Sequence, residues 1–396
     1  MGERNGRHDG MMDLDSFRIE IPSWAFANTG TRFGKYLQPA AATCLEEKFA
    51  DAAQVNFLTG VTPQLALHVL WDLAGGLADV GEVKQLSARY GIRAGAINPN
   101  LFQNQEYKLG SICNPDAGVR RAAVQHLQES VKIAQQLGVA DVSLWIADGS
   151  NYPGSQSIRR RIVWLEAALC ATHGQLSEGQ RLLIEYKPFE PAFYHTDVAD
   201  WGMAVHLSQA AGPQARVLVD TGHHYQSQNI EQIVAWLLHK KLLGGFHFND
   251  RRYADDDLTI GSIDPYQVFR IFHEIFSEED PAAVSGVAYM IDQSHNLKGK
   301  MEAMVQTVMM AQELFLKAAL VDRPRLAELQ SEGRILEAEE CLRSAFWTDV
   351  RPFIKEWRLK RGLPPNPLEA LYQSGYVERA ARERGDRNMT LSTSYA

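Results

Sequence analysis

The stretch of residues 216–250 reads RVLVDTGHHYQSQNIEQIVAWLLHKKLLGGFHFND. Its two ends, RVLVD (216–220) and GGFHF (244–248), are short apolar runs of the kind that forms buried strands. The segment between them has the apolar spacing of a helix, and Asn229 is a favourable residue to cap its beginning. A strand, a helix and a second strand in this order predict two neighbouring parallel strands of an α/β protein.

The same alternation continues on both sides of this stretch. Strands are predicted at RIEIPSWAF (18–26), LALHVLW (65–71), RAGAIN (93–98), DVSLWIA (141–147), RLLIEY (181–186), RVLVD (216–220), GGFHF (244–248) and VAYMID (287–292). Helices are predicted at residues 114–138, from Asp197, from Asn229, from Asp264 and at residues 300–320. Eight strand–helix units in about 300 residues predict a (β/α)8 TIM barrel. A doubly wound open sheet is the structural alternative, but ANTGTRFG (27–34) lacks the glycine spacing of a phosphate loop.

The pattern divides the chain into three segments. Residues 1–16 are polar and charged, and we expect a flexible N-terminus there. Residues 17–320 are predicted to form the catalytic barrel. Residues 321–396 show helical periodicity without a strand signal, and they predict a C-terminal helical extension. We expect this extension to contact a neighbouring subunit, although it is equally suited to covering the bottom of its own barrel.

Composition narrows the class of protein. The 396 residues are 45% hydrophobic and 22% charged, which is typical of a globular protein, and the net charge of −8 argues against a nucleic-acid partner. The four cysteines are far apart in the sequence and contain no CxxC pair, so neither a disulfide framework nor a zinc knuckle is predicted. The polar beginning of the chain has no apolar run of the length of a signal peptide or membrane span. We therefore expect a cytoplasmic protein with no membrane partner.

Polar residues and one tryptophan lie at the predicted strand ends. These residues are His68, Trp145, Glu185, Lys187, Asp220, His223, His247 and Asp292. Catalytic groups of TIM barrels lie at the carboxyl ends of the strands and in the loops that follow them. The sequence therefore predicts a functional site at this end of the barrel.

A run of aspartates follows the strand GGFHF, in the sequence HFNDRRYADDDLTIGS (247–262). Carboxylates this close together repel one another unless they are solvated or neutralised by cations. In an extended segment Asp255 and Asp257 would face one side and Asp256 the other. We predict one ion held by Glu185, Asp220, His247 and Asp292, and a second held by His223, Asp255 and Asp257. Carboxylate and imidazole ligands suit Mn²⁺, Mg²⁺, Co²⁺ or Zn²⁺.

Each of these residues also has a purely structural explanation when it is considered alone. The three consecutive aspartates are compatible with a solvated loop, and His247 with a hydrogen-bonded core histidine. Lys187 would then pair with Glu185 or Glu190, and Trp145 would pack in the core. Further candidates for contacts behind the metal ligands are His224, Asp250 and His295.

Taken together, several motifs resemble those of the L-rhamnose isomerases, in particular a bacterial branch with broad aldose specificity, and more distantly the xylose isomerases. The resemblance covers residues 17–300 and depends on SWAFANTGTRFG, LALHVLWD, SLWIADGSNYPG, IEYKPFEPAFYHTD, VDTGHH, HFND with YADDDLTIGSID, and IDQSHN. It implies a TIM barrel, a homotetramer and two divalent metal ions, most often manganese. The implied reaction, in rhamnose and carbohydrate metabolism, converts L-rhamnose to L-rhamnulose, with L-mannose, L-lyxose or D-allose as further substrates.

The resemblance also implies roles for single residues. Glu185, Asp220, His247 and Asp292 would hold the ion that grips the substrate's O2, and His223, Asp255 and Asp257 would hold the second, catalytic ion. Lys187 would donate to the terminal oxygen of the sugar, and Trp145 would form an apolar wall beside it. His68 would contact a sugar hydroxyl or the ring oxygen and help to open the sugar ring. Phe33 would reach into the site of a neighbouring subunit. Xylose isomerases have an aspartate three residues after the histidine that matches His68, whereas the nearest here is Asp72, four residues away.

Other functions remain compatible with the residues. One is an endonuclease IV-like phosphodiesterase, which would favour more histidine ligands and a basic groove. Another is a different sugar isomerase of the xylose isomerase-like superfamily, and a third is a non-enzymatic protein that binds sugar or metal. For an isomerase, a hydride shift and proton transfer through an enediol are both compatible with these residues.

Overall fold

The computed structural model describes residues 14–28, 36–189 and 195–390. Within them, eight parallel strands form one sheet in sequence order: β1 Ile21–Pro22, β2 Gln64–His68, β3 Arg93–Asn98, β4 Asp141–Trp145, β5 Arg181–Glu185, β6 Ala215–Asp220, β7 Leu243–Phe248 and β8 Ala288–Ile291. The backbone of Glu20 closes the sheet, because its N–H donates to Tyr289 and its carbonyl accepts from Ile291. The predicted TIM barrel is confirmed. Most of the predicted flexible N-terminus, and Phe33, lie outside the described residues.

Helices follow the strands and cover the outside of the barrel. Their bounds are α1 Leu45–Thr59, α2 Val80–Tyr90, α3 Ala117–Leu137, α4 Ile158–His173, α5 Trp201–Ala211, α6 Ile230–His239, α7 Pro265–Ser277, α8 Pro281–Val284 and α9 Lys300–Ala319. The side chains of Asn229 and Asp264 cap α6 and α7 as predicted, since each accepts a backbone N–H of the first turn. The helix predicted from Asp197 begins instead at Trp201, where Asp200 is the capping residue.

The first strand is shorter than predicted. Residues 23–26 form a 3-10 helix rather than the end of a strand, so the prediction of a strand over residues 18–26 is wrong there. Two side-chain hydrogen bonds accompany this turn. Ser23 Oγ donates to Asp72 Oδ2 over 2.5 Å, and Trp24 Nε1 donates to Asp292 Oδ1 over 2.8 Å. The chain therefore bends across the open end of the barrel and brings Trp24 toward the end of β8.

The barrel interior is packed below its open end. Ala96, Leu183, Leu218 and Met290 form a small apolar cluster inside the ring of strands. A much larger cluster fills the layer between the strands and the surrounding helices. Because apolar side chains fill the lower interior, the polar groups collect at the carboxyl end of the strands.

The C-terminal extension consists of helices α10 Arg323–Ser331, α11 Ile335–Trp347, α12 Arg351–Lys360, α13 Pro367–Ser374 and α14 Tyr376–Thr390. It packs on its own barrel: Trp357 Nε1 donates to Asp15 over 2.8 Å, and Arg384 forms a buried ion pair with Asp51 at 2.9 Å. A contact with a neighbouring subunit stays a prediction. In the described ranges, no one helix has the length and apolar character to cross a membrane; the bent pair α9 and α10 meets the criterion only jointly.

Candidate functional site

A cavity lies at the carboxyl end of the barrel strands. Both polar and aromatic side chains line it. The predicted residues that line it are His68, Trp145, Glu185, Lys187, His223, His247, Asp255, Asp257 and Asp292. Asp220 lies fully buried beside them at the end of β6. The structure therefore brings every described residue of the predicted site to one place.

Four of these residues form one group: Glu185, Asp220, His247 and Asp292. Each offers one potential ligand atom, and these four atoms all lie within 4.8 Å of one another. Nδ1 of His247 lies 3.3 Å from Glu185 Oε2 and 4.0 Å from both Asp220 Oδ2 and Asp292 Oδ2. Their positions follow from the sheet, because each residue lies at or next to the carboxyl end of one of the four consecutive strands β5 to β8. Such a set of one imidazole and three carboxylates can hold a divalent cation.

A second group of the same kind consists of Asp220, His223 and Asp255. His223 Nε2 lies 3.8 Å from Asp220 Oδ2 and 3.5 Å from Asp255 Oδ2. Its Nδ1 lies 3.0 Å from the carbonyl oxygen of Tyr186, which leaves Nε2 directed at the carboxylates when Nδ1 carries the proton. Asp220 belongs to both groups, whereas the sequence analysis assigned it only to the first.

The aspartates after β7 have different environments. Asp255 and Asp257 line the cavity, but Asp257 lies outside the second ligand group. Asp256 accepts from the backbone N–H groups of Arg252 and Tyr253 and so shapes the loop. The segment is not extended, because Asp257 has a φ of 48°. Asp255 and Asp257 thus both line the cavity while Asp256 does not, but the alternation of side chains along an extended strand is not the cause.

Negative charge exceeds positive charge in this site. Among the described residues, Lys187 is the only lysine or arginine that lines the cavity, and its Nζ lies 2.6 Å from Asp255 Oδ2. Burial, followed by the charges of Glu185 and Asp255, raises the pKa of Asp220 well above its usual range. Burial lowers the pKa of His247, but Glu185 and Asp292 outweigh it and raise this pKa to about 9. A divalent cation would neutralise these carboxylates, and the residues present fit one.

His68 occupies the boundary between the polar and aromatic walls. Its ring stacks on Trp71 with 3.7 Å between centroids, and burial lowers its pKa well below the usual value, so the ring is neutral. The carboxylate of Asp72 accepts a hydrogen bond from the backbone N–H of His68 over 2.7 Å and forms a salt bridge with Lys48. Among the described residues, Nδ1 of His68 and Nε1 of Trp145 are buried without a hydrogen-bond partner. Both are candidates to bind a polar ligand.

The aromatic wall was largely missed in the sequence. It contains Trp24, Trp71 and Phe102 in addition to Trp145, whose ring centroid lies 5.2 Å from Lys187 Nζ. The spacing of Trp71, three residues after His68, was an available signal. Phe102 lies in a loop after β3 and had no signal of its own.

The contacts behind the ligands differ from residue to residue. Tyr186 Oη lies 2.7 Å from Nε2 of His224, beside the candidate ligand His223. Asp250 instead accepts from the backbone N–H groups of Ile263 and Asp264, and it holds the end of the loop that carries Asp255. Asn249 Nδ2 donates to Asp220 Oδ1 over 3.0 Å, a contact that the sequence analysis did not anticipate.

Known proteins resemble this chain in sequence and in fold. Residues 61–277 match a protein-family model described as xylose isomerase-like TIM barrel. A probable sugar isomerase of Rhizobium meliloti (strain 1021) is 38% identical over 97% of this chain and 91% of its own length. An L-rhamnose isomerase of Bacteroides thetaiotaomicron is 23% identical over 82% of this chain and 80% of its own length. The solved structure of a D-allulose 3-epimerase from Methylomonas sp. has a TM-score of 0.55 at 14% identity, and the match covers 76% of this chain and 98% of the epimerase. At that identity the structural likeness supports the fold alone.

Proposed function

This chain belongs to the xylose isomerase-like TIM barrel family, and on that basis we propose that it is a metal-dependent aldose–ketose isomerase that converts L-rhamnose to L-rhamnulose. The proposal depends on one observation: carboxylates, the histidines His223 and His247, and Lys187 line the same cavity at the carboxyl end of the strands. The relatives support a sugar isomerase, and the distant L-rhamnose isomerase supports this aldose among the possible ones.

We propose that two divalent ions bind in the two ligand groups, with Mn²⁺ as the preferred ion. Glu185, Asp220, His247 and Asp292 would hold one ion, and Asp220, His223 and Asp255 would hold the other. Asp257 lines the same cavity outside these groups, and we propose that it joins the ligands of the second ion. When bound, such ions polarise the oxygens on adjacent carbons of a sugar and balance the charge of the carboxylates.

The side chains of this protein then divide the remaining work. Lys187 donates a hydrogen bond to the terminal oxygen of the sugar, where negative charge develops as hydrogen moves between C1 and C2. Asp255, at 2.6 Å, orients the ammonium. A carboxylate oxygen of Asp255 or Asp257 accepts the hydroxyl proton that passes between O2 and O1. A hydride shift and an enediol route both require these groups.

The opposite wall positions the rest of the sugar. Trp71, Phe102 and Trp145 present apolar faces to the carbons farther from the reaction. The unpartnered Nε1 of Trp145 and Nδ1 of His68 bind sugar hydroxyls, because a buried polar atom without a partner costs free energy until a ligand satisfies it. His68 acts as a neutral imidazole in this role, since its pKa lies well below the usual value.

The test measures ketose formation from L-rhamnose by purified protein after EDTA treatment and after addition of Mn²⁺. We expect metal-restored conversion, and a panel of L-mannose, L-lyxose, D-allose and D-xylose ranks the substrates. Asp257→Asn removes a carboxylate from the cavity, and Asp256→Asn is its matched control, because asparagine can still accept the two loop hydrogen bonds. Conversion of none of these aldoses by folded protein with bound metal would contradict the proposed function.

A further inference from the structure

The end of the C-terminal extension reaches the segment that follows the first strand. Asn388, on α14, is fully buried, and its amide nitrogen donates to the carbonyls of Pro39 and Ala41 over 2.9 and 2.7 Å. Its Oδ1 accepts from the side chain of Asn28 over 2.9 Å. One side chain of the extension therefore connects two parts of the chain that flank the open end of the barrel.

The connection continues through Gln38. Asn28 and Gln38 form two hydrogen bonds with each other, from Asn28 Nδ2 to the Gln38 carbonyl over 3.1 Å and from the Gln38 N–H to Asn28 Oδ1 over 3.0 Å. The amide nitrogen of Gln38 then lies within hydrogen-bond distance of three carbonyls in the loop after β8, those of His295, Asn296 and Lys298 at 3.2, 3.2 and 2.8 Å.

That loop forms part of the cavity wall. Ser294 and Asn296 line the cavity, and Asp292, a candidate metal ligand, lies two residues before Ser294. Lys300 also donates to the His295 carbonyl over 2.8 Å, so the loop has an anchor of its own. Loss of the contacts from Gln38 would therefore loosen the loop without unfolding it.

We infer that Asn388 and Gln38 are positioning residues for the substrate cavity: they connect the C-terminal extension to the loop 294–298 through backbone carbonyls. The inference rests on the proposed function only in taking this cavity as the sugar site. It assigns the extension a role within its own subunit. This positioning requires hydrogen-bond donors. Among the described residues, Gln38 Nε2 and Asn388 Nδ2 donate to backbone carbonyl oxygens.

The kinetic test uses full-length protein carrying Asn388→Ala, Gln38→Ala or both. We expect KM for the sugar to rise about tenfold and kcat to change less than about threefold, because the loop contacts substrate without belonging to the reacting groups. The double variant should be no worse than the poorer single variant, since both residues act through one chain of contacts. Gln38→Glu keeps the side-chain length but lacks donors, and it should behave like Gln38→Ala. The control is Gln373→Ala, which removes an exposed amide of the extension that donates to Glu369.

Hydrogen–deuterium exchange provides a readout that does not depend on turnover. We expect faster exchange of the backbone amides of residues 294–299 in Asn388→Ala, and no change in Gln373→Ala. If wild-type protein converts no aldose, the proposed function fails, and the exchange result alone decides the inference. Unchanged exchange at residues 294–299 in Asn388→Ala, or full recovery of KM in Gln38→Glu, would overturn it.

Discussion

Two clusters of buried acidic residues follow neighbouring strands of this barrel, and they differ in what neutralises them. The first, here the arginine cluster, contains Cys113, Asp148 and Asp197 together with Arg161. Arg161 is 1% exposed, and its Nε lies 3.0 Å from both oxygens of Asp197. Asp148 accepts from Ser111 and from the Cys113 N–H, each over 2.7 Å. These carboxylates are thus satisfied by the protein itself.

The second, here the cavity cluster, contains Glu185, Asp220, Asp255, Asp257 and Asp292 with the two histidines His223 and His247. Among the described residues, its walls provide one ammonium and no guanidinium. Each cluster contains a group of side chains that meets the same distance criterion for ligand atoms. Proximity of acidic side chains therefore does not distinguish a metal site from a structural ion pair, whereas the balance of buried charge does.

Cys113 of the arginine cluster also distinguishes this cluster from a metal site. Burial, followed by the charge of Asp148, raises the pKa of the Cys113 thiol well above its usual range. A neutral thiol is a poor metal ligand, because the thiolate is the form that binds metal. The arginine cluster is therefore expected to stay free of metal while the cavity cluster binds it.

The largest expected effect comes from removing the carboxylate that both ligand groups share. Asp220→Asn should lower turnover by about a thousandfold or more, because both proposed ions lose a ligand. Asp148→Asn is the matched change in the arginine cluster, and it should lower stability while leaving turnover nearly intact. Steady-state kinetics with metal analysis of both variants checks this. Near-wild-type turnover in Asp220→Asn would remove Asp220 from the site.

The next effect is on stability rather than activity. Arg161→Met should lower the free energy of unfolding by about 3–5 kcal/mol, because it leaves the buried carboxylates of its cluster without a cation. Mn²⁺ bound at the cavity cluster should stabilise both proteins, but the difference between Arg161→Met and wild type should persist, since the oxygens of Asp148 remain hydrogen-bonded to Ser111 and the Cys113 N–H. Denaturant unfolding with and without Mn²⁺ measures the effect. Full rescue by Mn²⁺ would mean that the two clusters are not different in kind.

A smaller effect is expected at the lysine of the cavity cluster. Lys187→Met should lower kcat by about a hundredfold, because an ammonium no longer stabilises the charge that develops on the sugar oxygen. Metal content should stay unchanged, since Lys187 binds no metal in this account. Single-turnover kinetics with metal analysis distinguishes the two effects. Loss of bound metal together with activity would instead assign Lys187 a role in organising the ligands.

The smallest effect is a pH dependence of metal binding. In metal-free protein the raised pKa of Asp220 keeps its proton bound to a higher pH than in an ordinary aspartate. A cation must displace this proton and the proton of His247, whose pKa is about 9, so metal affinity should weaken as pH falls, by up to about tenfold per pH unit for each proton displaced. Calorimetric titration with Mn²⁺ in two buffers of different ionisation enthalpy measures the released protons. Binding without proton release between pH 5 and 7 would contradict the assignment.

The order of the strands and the positions of the candidate ligands were predictable from the sequence for physical reasons. Strand–helix alternation specifies a barrel, and the barrel places strand ends together, so Glu185, Asp220 and His247 were placed together without coordinates. The 3-10 turn that carries Trp24 was not predictable, because it depends on contacts with Asp72 and Asp292 far along the chain.

The arginine cluster and the shared role of Asp220 were missed for the same reason. Arg161 lies within a helix, and only the fold brings it to Asp197, which is 36 residues away in the sequence. The position of Asp220 between two ligand groups depends on the side-chain directions of His223 and Asp255, which no spacing in the sequence specifies.

A calorimetric titration of metal-free protein with Mn²⁺ on the wild type, Asp220→Asn and Arg161→Met tests directly whether the cavity cluster binds metal. We expect two tightly bound ions per chain in the wild type, loss of tight binding in Asp220→Asn, and wild-type binding in folded Arg161→Met. Absence of tight binding in the wild type, or undiminished binding in Asp220→Asn, would contradict the claim that divalent cations neutralise the cavity cluster.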